Sequence, residues 1–526
     1  MHTFADPMIR QSAPRSERRN ARAALLWVAV MTLVALAAGL SLLRGNRDPA
    51  MSGAAGLSLI AWIIYLGGVA AIFREPRHGV YLILFFTLIS DNALLIWYPF
   101  TKNFSSAESL LYLNDALIFS PLELYIVLTL ASWVGGMLAR RKLALRQGPL
   151  FWPILVWAAF MAFGLVYGLG RGGSMNIGLW EARPMFYLPA LFLLTTNLIE
   201  TRAQVNRLMW CAMIAIFLHG GVAGLLHFVF GLNGEVSRIE SIVEHSAAIR
   251  MNTLYVLAVA AWLYKAAPSK RILLPLFALP IFVTYMVAQR RASFVALGLA
   301  LILIAALLFK ENRRLFYGIA PPLAVIAVLY IVAFWNNQSP LGLPARAVKS
   351  IVASDAGNEQ ENSSNVYRLI ENINNAFTIH TAPLTGVGFG NKFYIIVPLP
   401  DISFFAWWEY IVHNSMIWIW MKTGIGGFLS MLVMVGMSLA VGARTVWRMP
   451  GGDMSAIAAT AALYVFMHFT YAYVDMSWDN QSMMYLGVMI GLLNIMEDVI
   501  ARPVPPPAKR YPWQPDPLPA PGLRPL

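Results

Sequence analysis

The sequence predicts an all-α polytopic membrane protein with about fourteen transmembrane helices and one long, partly helical outer loop. Three observations predict it. Of the 526 residues 58% are hydrophobic and only 12% charged, roughly half the charged share of a soluble globular chain. Apolar runs near twenty residues recur from residue 23 to residue 500, and a helix of that length crosses a hydrocarbon core of about 30 Å. Lys and Arg fall unevenly around these runs, with about twice as many on the side of the N-terminus as on the other.

The spans are expected near residues 23–43, 53–73, 79–97, 115–138, 149–168, 184–200, 207–230, 249–265, 272–289, 292–309, 315–334, 414–442, 454–473 and 483–499. The lysine and arginine bias makes both termini cytoplasmic. Arg10, Arg15, Arg18, Arg19 and Arg22 precede the first span, and no small-residue cleavage site follows it, so the expectation is an anchor and not a removed signal peptide. The chain divides into a basic cytoplasmic tail (1–22), eleven helices (23–334), a periplasmic loop domain (335–412), three helices (413–500) and a Pro-rich cytoplasmic tail (501–526) in which Pro503, Pro505, Pro506 and Pro507 oppose helix. The net charge of +13 reflects orientation in a bilayer and not nucleic-acid binding. A single cysteine, Cys211, excludes an intrachain disulfide and argues against redox chemistry.

Residues 335–412 carry helical signal. Val366, Leu369, Ile370, Ile373 and Phe377 recur at the spacing of one apolar helical stripe. Arg368, two residues past Val366, points away from that stripe. Upstream, SDAGNEQENSSN (354–365) reads as a mobile polar stretch or lid.

Charged groups at membrane depth or at the outer rim are costly, which makes them functional candidates. Four places stand out: Arg183 in EARP before the sixth span, Arg290 and Arg291 in AQRRAS at the mouth of a tight hairpin, Arg368 in NVYRLIEN, and His413 in HNSMIWIWMKTGIGG. Paired guanidinium groups match a diphosphate through parallel charge-assisted hydrogen bonds; snorkelling to lipid phosphate accounts for them equally. Arg368 reads as a ligand or as a solvated-face residue. His413 reads as a proton acceptor, a metal ligand or an interfacial residue. No second His or Cys stands beside it at metal-ligand spacing, which disfavours zinc. TGVGFG (385–390) has no preceding strand and no Lys-Ser/Thr after it, so a tight re-entry turn is expected and not a nucleotide loop. His219, His227 and His468 read as satisfied core histidines.

The order of these features resembles the O-antigen ligase and Wzy-type polymerase superfamily. Hairpin arginine, outer-helix arginine, Gly-Val-Gly-Phe-Gly, then His-Asn at the head of a span carrying Gly424, Gly426 and Gly427 is the shared pattern, clearest over residues 285–430. Gln289 and Arg290 depart from the serine usual before the family's hairpin arginine. The resemblance implies a GT-C-like membrane glycosyltransferase architecture in the bacterial inner membrane, with its active site facing the periplasm. It implies His413 as catalytic base and Arg291 and Arg368 as ligands of the donor diphosphate, with Arg290 and Arg183 supporting them. Asn414, Tyr367, Glu181 and Asp475 are candidates for acceptor binding or support, and Asp479 lies near them at the outer rim.

The implied donor is an undecaprenyl-diphosphate-linked glycan, transferred with inversion and without metal or other cofactor. In the polymerase reading the acceptor is a second lipid-linked glycan; in the ligase reading it is lipid A-core or a protein. The length of the outer loop and the number of spans favour the polymerase. A chain-length regulator and a flippase are implied partners. A flippase or transporter is the rival from another class, with Lys422, Asp91 and Glu123 lining a path. A metal-dependent lipid-linked glycosyltransferase needs paired acidic residues in an early outer loop, where residues 44–52 offer only Asp48.

Overall fold

The computed structural model describes residues 30–40, 55–90, 100–106, 109–141, 144–231, 242–352, 359–400 and 407–502. The N-terminal tail, the C-terminal tail beyond residue 502, Asp91 and the whole first outer loop with Asp48 lie outside them. Among the described residues the chain is helical, without strands.

A helix stands at each of the fourteen expected places. These are α1 (Val30–Leu40), α2 (Ala55–Arg74), α3 (Arg77–Ile89), α4 (Pro121–Ala139), α5 (Phe151–Gly170), α6 (Met175–Leu198) and α7 (Arg202–Ile216, continued by π-helical turns to Gly231). There follow α8 (Ala247–Leu263), α9 (Pro268–Val287), α10 (Arg291–Glu311) and α11 (Arg313–Ala333). The outer loop folds into α12 (Leu343–Val352) and α13 (Glu359–Thr381), and the chain closes with α14 (Ser415–Arg448), α15 (Asp453–Ala472) and α16 (Asn480–Ala501). Ten of the described helices are long and apolar enough to cross a membrane.

α15 and α16 are buried along most of their length and form the centre of the bundle, whereas α11 buries no residue. An apolar helix with no residue buried within its own chain suits a lipid-facing position.

Two boundaries differ from expectation in ways that matter. α6 begins at Met175, nine residues before the expected 184, so Glu181 and Arg183 lie inside a helix and not ahead of one. The opening residues MNIGLWEARP are too polar to register as a hydrophobic run, and Pro184 reads as a start signal. The stretch 115–120 is not helical; α4 starts after Ser120, whose side chain and Glu123 form a reciprocal capping box.

The outer loop is anchored by a break in α14. At Gly424 (φ 70°, ψ −175°) the helix kinks, and the Ile425 N–H donates to Pro383 O instead of to its own helix. The Met421 and Lys422 carbonyls, left without helical partners, accept from the Val387 and Gly388 amides at 2.8 and 3.1 Å. These three backbone groups at the kink are thus satisfied by Pro383 and the glycine turn. Phe389 N donates to Gly164 O of α5 at 3.0 Å, and a Cβ on Gly388 (φ 82°) would stand 2.2 Å from Gly168 Cα. The expected re-entry turn is therefore a wedge between α5 and α14. Beneath it Lys422 Nζ meets Glu181 Oε1 at 2.8 Å with both side chains fully buried; Lys422 also donates to Asn391 O, and Glu181 Oε2 accepts from Gly390 N.

Candidate functional site

α13 turns its polar side inward. Tyr367, Glu371, Asn374, Asn375 and Thr378 are buried, whereas Val366, Leu369, Ile373 and Phe377 of the apolar stripe are 41–63% exposed. A helix over a water-soluble core does the reverse. Here the polar face has partners to meet. Asn374 Oδ1 accepts from the Ile396 and Val397 amides and its Nδ2 donates to Val397 O, while Thr378 Oγ1 accepts from Tyr394 N. Residues 359–365, expected as part of a mobile lid, are helical.

One turn nearer the N-terminus the same face reaches His413. Glu371 Oε2 accepts the His413 backbone N–H at 2.8 Å and lies 3.1 Å from its Nδ1. A carboxylate only accepts, so Nδ1 carries the hydrogen and Nε2 is left to take a proton. Tyr367 packs edge-on against the imidazole with ring centroids 5.5 Å apart; burial, then the Glu371 charge, raise its hydroxyl above the ordinary range, so it stays protonated.

His413 lines a cavity of about 510 Å³ together with Arg291, Asn365, Arg368 and Asn372. Arg291, the first residue of α10, donates to Asn365 Oδ1 at 3.2 Å. The hairpin before it is as tight as the sequence implies, with Gln289 left-handed at φ 53°. Arg368 Nη2 lies 3.8 Å from Asp475 Oδ2. Its Nε, like Oδ1 of Asn372, is buried without a hydrogen-bond partner, as suits groups held ready for a ligand.

Asp475, between α15 and α16, is itself 3% exposed. It takes the Tyr471 hydroxyl at 3.1 Å and faces His245 Nδ1 at 3.5 Å. Burial alone pushes its carboxyl up. The His245 hydrogen bond and the charges of His245, Arg368 and Arg290 outweigh it and hold Asp475 well below the usual carboxylate range.

Most of the remaining predicted residues sit elsewhere. Arg290 does not line the cavity; its charge acts on Asp475. Arg183 donates to Ile118 O at 2.8 Å and lies 3.8 Å from Glu123, on the wall of a separate cavity, so it does not join Arg291 and Arg368. Glu181 is held by Lys422 and does not orient His413. Asn414 lines the cavity but also caps α14, accepting from Ile417 N at 3.1 Å. Asp479 caps α16 and pairs with Arg250 at 3.2 Å. His468 is buried with no hydrogen-bond partner at Nε2, contrary to the satisfied core histidine expected. Among the described residues no group of three or more His, Cys, Asp or Glu stands close enough to hold a metal ion.

Sequence reasoning missed Glu371, Asn365 and His245. Glu371 had a signal: Tyr367, Glu371, Asn374, Asn375 and Thr378 repeat at helical spacing as regularly as the apolar stripe does.

Residues 276–432 match the family model described as O-antigen ligase. That segment is similar to the O-antigen ligase family. That match supports the superfamily of O-antigen ligases and Wzy-type polymerases, and with it an enzymatic role in a multi-pass inner-membrane protein acting on lipid-linked glycans. The matched segment contains Arg290, Arg291, Asn365, Arg368, Glu371 and His413; His245 and Asp475 lie outside it. No curated protein matches the chain.

Proposed function

We propose that the protein is a polysaccharide polymerase, which moves a glycan from undecaprenyl diphosphate to a hydroxyl of a second lipid-linked glycan at the periplasmic face, in O-antigen or exopolysaccharide assembly. The observation that carries this is the convergence of an oriented histidine and two arginines on one cavity.

The acceptor hydroxyl attacks the anomeric carbon of the donor sugar while His413 Nε2 takes its proton, a contribution worth about 10²- to 10⁴-fold. The bond from that carbon to the diphosphate oxygen breaks, and its electron pair leaves on the diphosphate. Arg291 and Arg368 neutralise the charge developing there, the part that a divalent metal plays in other enzymes. Glu371 stabilises the imidazolium formed. One displacement inverts the anomeric centre.

The ligase reading shares donor, cavity and chemistry and differs only in acceptor. A transporter would spread its charged groups along a path through the membrane. Lys422 and Glu181 are instead locked to each other beneath the glycine turn, and Glu123 is taken up by the α4 cap and by Tyr187.

The test uses purified protein with a lipid-linked oligosaccharide as sole substrate and EDTA present. A ladder of lengthening products that His413→Ala abolishes is the expected result. Product only after lipid A-core is added would make the enzyme a ligase. No product with either acceptor overturns the transferase reading.

A further inference from the structure

A second cavity, of about 650 Å³, opens on the same face of the bundle. Its walls come from residues 101–106, the heads of α4, α6, α14 and α16, and the segment before α8. The two cavities share a partition only two chain segments thick. In residues 411–415, His413 and Asn414 face the first cavity and Ile411, Val412 and Ser415 the second; in residues 473–478, Tyr473 and Val474 face the first and Met476 and Trp478 the second. His245, on the second cavity, reaches through Asp475 to Arg368, on the first.

Their chemistry differs. The charged side chains of the first cavity are arginines, with His413 beside them. The second carries four carboxylates, Glu123, Glu181, Glu244 and Asp479, against the cations Lys102 and Arg183 and the imidazole of His245. The second cavity's carboxylates are matched by cations of their own, Glu181 by Lys422, Asp479 by Arg250 and Glu123 by Arg183.

The second cavity instead offers flat aromatic faces between short polar side chains. Trp180 and Trp407 stack at 4.4 Å with planes 8° apart, and Trp180 is 41% exposed. Trp418 and Trp478 also stand in its wall, their indole N–H groups donating to Tyr410 O and Ser415 O and Trp418 buried against Phe389. Amides and hydroxyls of Asn103, Ser105, Asn480 and Gln481 share the lining. Asp479 Oδ2 is buried without a hydrogen-bond partner. Pyranose rings present just this mixture, with apolar C–H faces that stack on indole and equatorial hydroxyls that pair with amides and carboxylates.

We infer that this second cavity is a carbohydrate-binding site, which holds sugars of the acceptor glycan beside the partition that carries His413. The inference rests on the transferase reading above and adds to it the place of the acceptor. It assigns Trp180 and Trp407 to acceptor binding and leaves Arg291 and Arg368 to the donor diphosphate.

The experiment measures two bindings on the full-length protein in detergent by calorimetry. One probe is undecaprenyl diphosphate without sugar. The other is the water-soluble oligosaccharide released by mild acid from the host's own lipid-linked glycan. Trp407→Ala and Trp180→Ala should weaken oligosaccharide binding about tenfold or more and leave undecaprenyl diphosphate binding unchanged. Trp407→Phe, which keeps a stacking face, should retain most of the affinity and guards against misfolding as the cause. Arg368→Ala should do the reverse, losing the diphosphate lipid and keeping the oligosaccharide. Equal oligosaccharide affinity in wild type and Trp407→Ala, or an oligosaccharide that does not bind a protein still binding undecaprenyl diphosphate, overturns the acceptor site and leaves the transferase reading standing. A wild type that binds no undecaprenyl diphosphate overturns that reading, and the acceptor assignment with it.

Discussion

Glu371 holds His413 twice, accepting its backbone amide at 2.8 Å and standing 3.1 Å from its ring Nδ1. The backbone contact fixes where α14 begins relative to α13; the ring contact fixes the tautomer. A residue that sets both position and protonation of a base acts through that base, which makes Glu371 a positioning residue.

Glu371→Gln keeps the shape of the side chain and can still accept a hydrogen bond, but it no longer stabilises an imidazolium. The expected outcome is a fall in kcat of about a hundredfold or more, little change in KM for the lipid-linked glycan, and an altered pH profile. Initial rates across pH check this, and an unchanged profile would leave Glu371 a purely structural tie.

Arg291 and Arg368 differ in how they are held, the first by Asn365 Oδ1 and the second beside the Asp475 carboxylate. Lysine keeps the charge and loses the planar fork. Undecaprenyl diphosphate should bind about tenfold more weakly to Arg368→Lys and still more weakly to Arg368→Ala. If lysine binds like wild type, charge alone matters and the fork geometry does not.

Asp475 gives a pH signature with a definite sign. Its carboxyl is depressed in the folded protein by His245, Arg368 and Arg290, which together outweigh the effect of burial. Such a group adds stability above the unfolded value of about 3.9 and loses it as the pH falls further. Asp475→Asn should therefore melt below wild type near neutral pH, with the gap closing as the pH drops below about 4. Melting curves in detergent over that range test it; a gap independent of pH would mean that the asparagine disturbs packing and not charge.

The buried pair of Glu181 and Lys422 makes a prediction about stability alone. Lys422→Met leaves a fully buried carboxylate unpaired and should cost about 3–5 kcal/mol. Adding Glu181→Gln should recover a good part of this, because the lone buried charge is gone. A double variant no more stable than the single one contradicts that account.

Gly388→Ala would drive a Cβ to 2.2 Å from Gly168 Cα at a left-handed φ of 82°. Little correctly folded protein is expected, judged by a monodisperse size-exclusion peak. Gly298→Ala in α10, where no atom lies within 4 Å, is the control and should gain up to about 1 kcal/mol from helix propensity.

Much of the architecture was legible because its causes are local. A run of twenty apolar residues needs no distant partner to become a membrane-crossing helix, so each expected place holds a helix, and ten of the described helices are long and apolar enough to cross. Legibility failed at α6, where Glu181, Arg183 and Pro184 interrupt the apolar run and only packing against α16 and the Lys422 ion pair make the segment helical and buried. The order of Arg291, Arg368, the glycine turn and His413 along the chain pointed to the family segment, because residue type and spacing are carried by the sequence itself.

What the sequence alone determined is the set of membrane helices, the chemistry-bearing residue types and their order. Which of those residues meet was decided by the tertiary structure. Arg183 and Arg290 look as suitable as Arg291 and Arg368 in the sequence, yet only the latter pair line the cavity with His413. Glu371 and His413 stand far apart in the chain and meet only because α13 turns its polar stripe inward. Asn374 has partners on the 394–397 segment and Glu371 at the head of α14, whereas the apolar stripe can stay exposed. Such pairing depends on distances through space, and no periodicity along the chain encodes it.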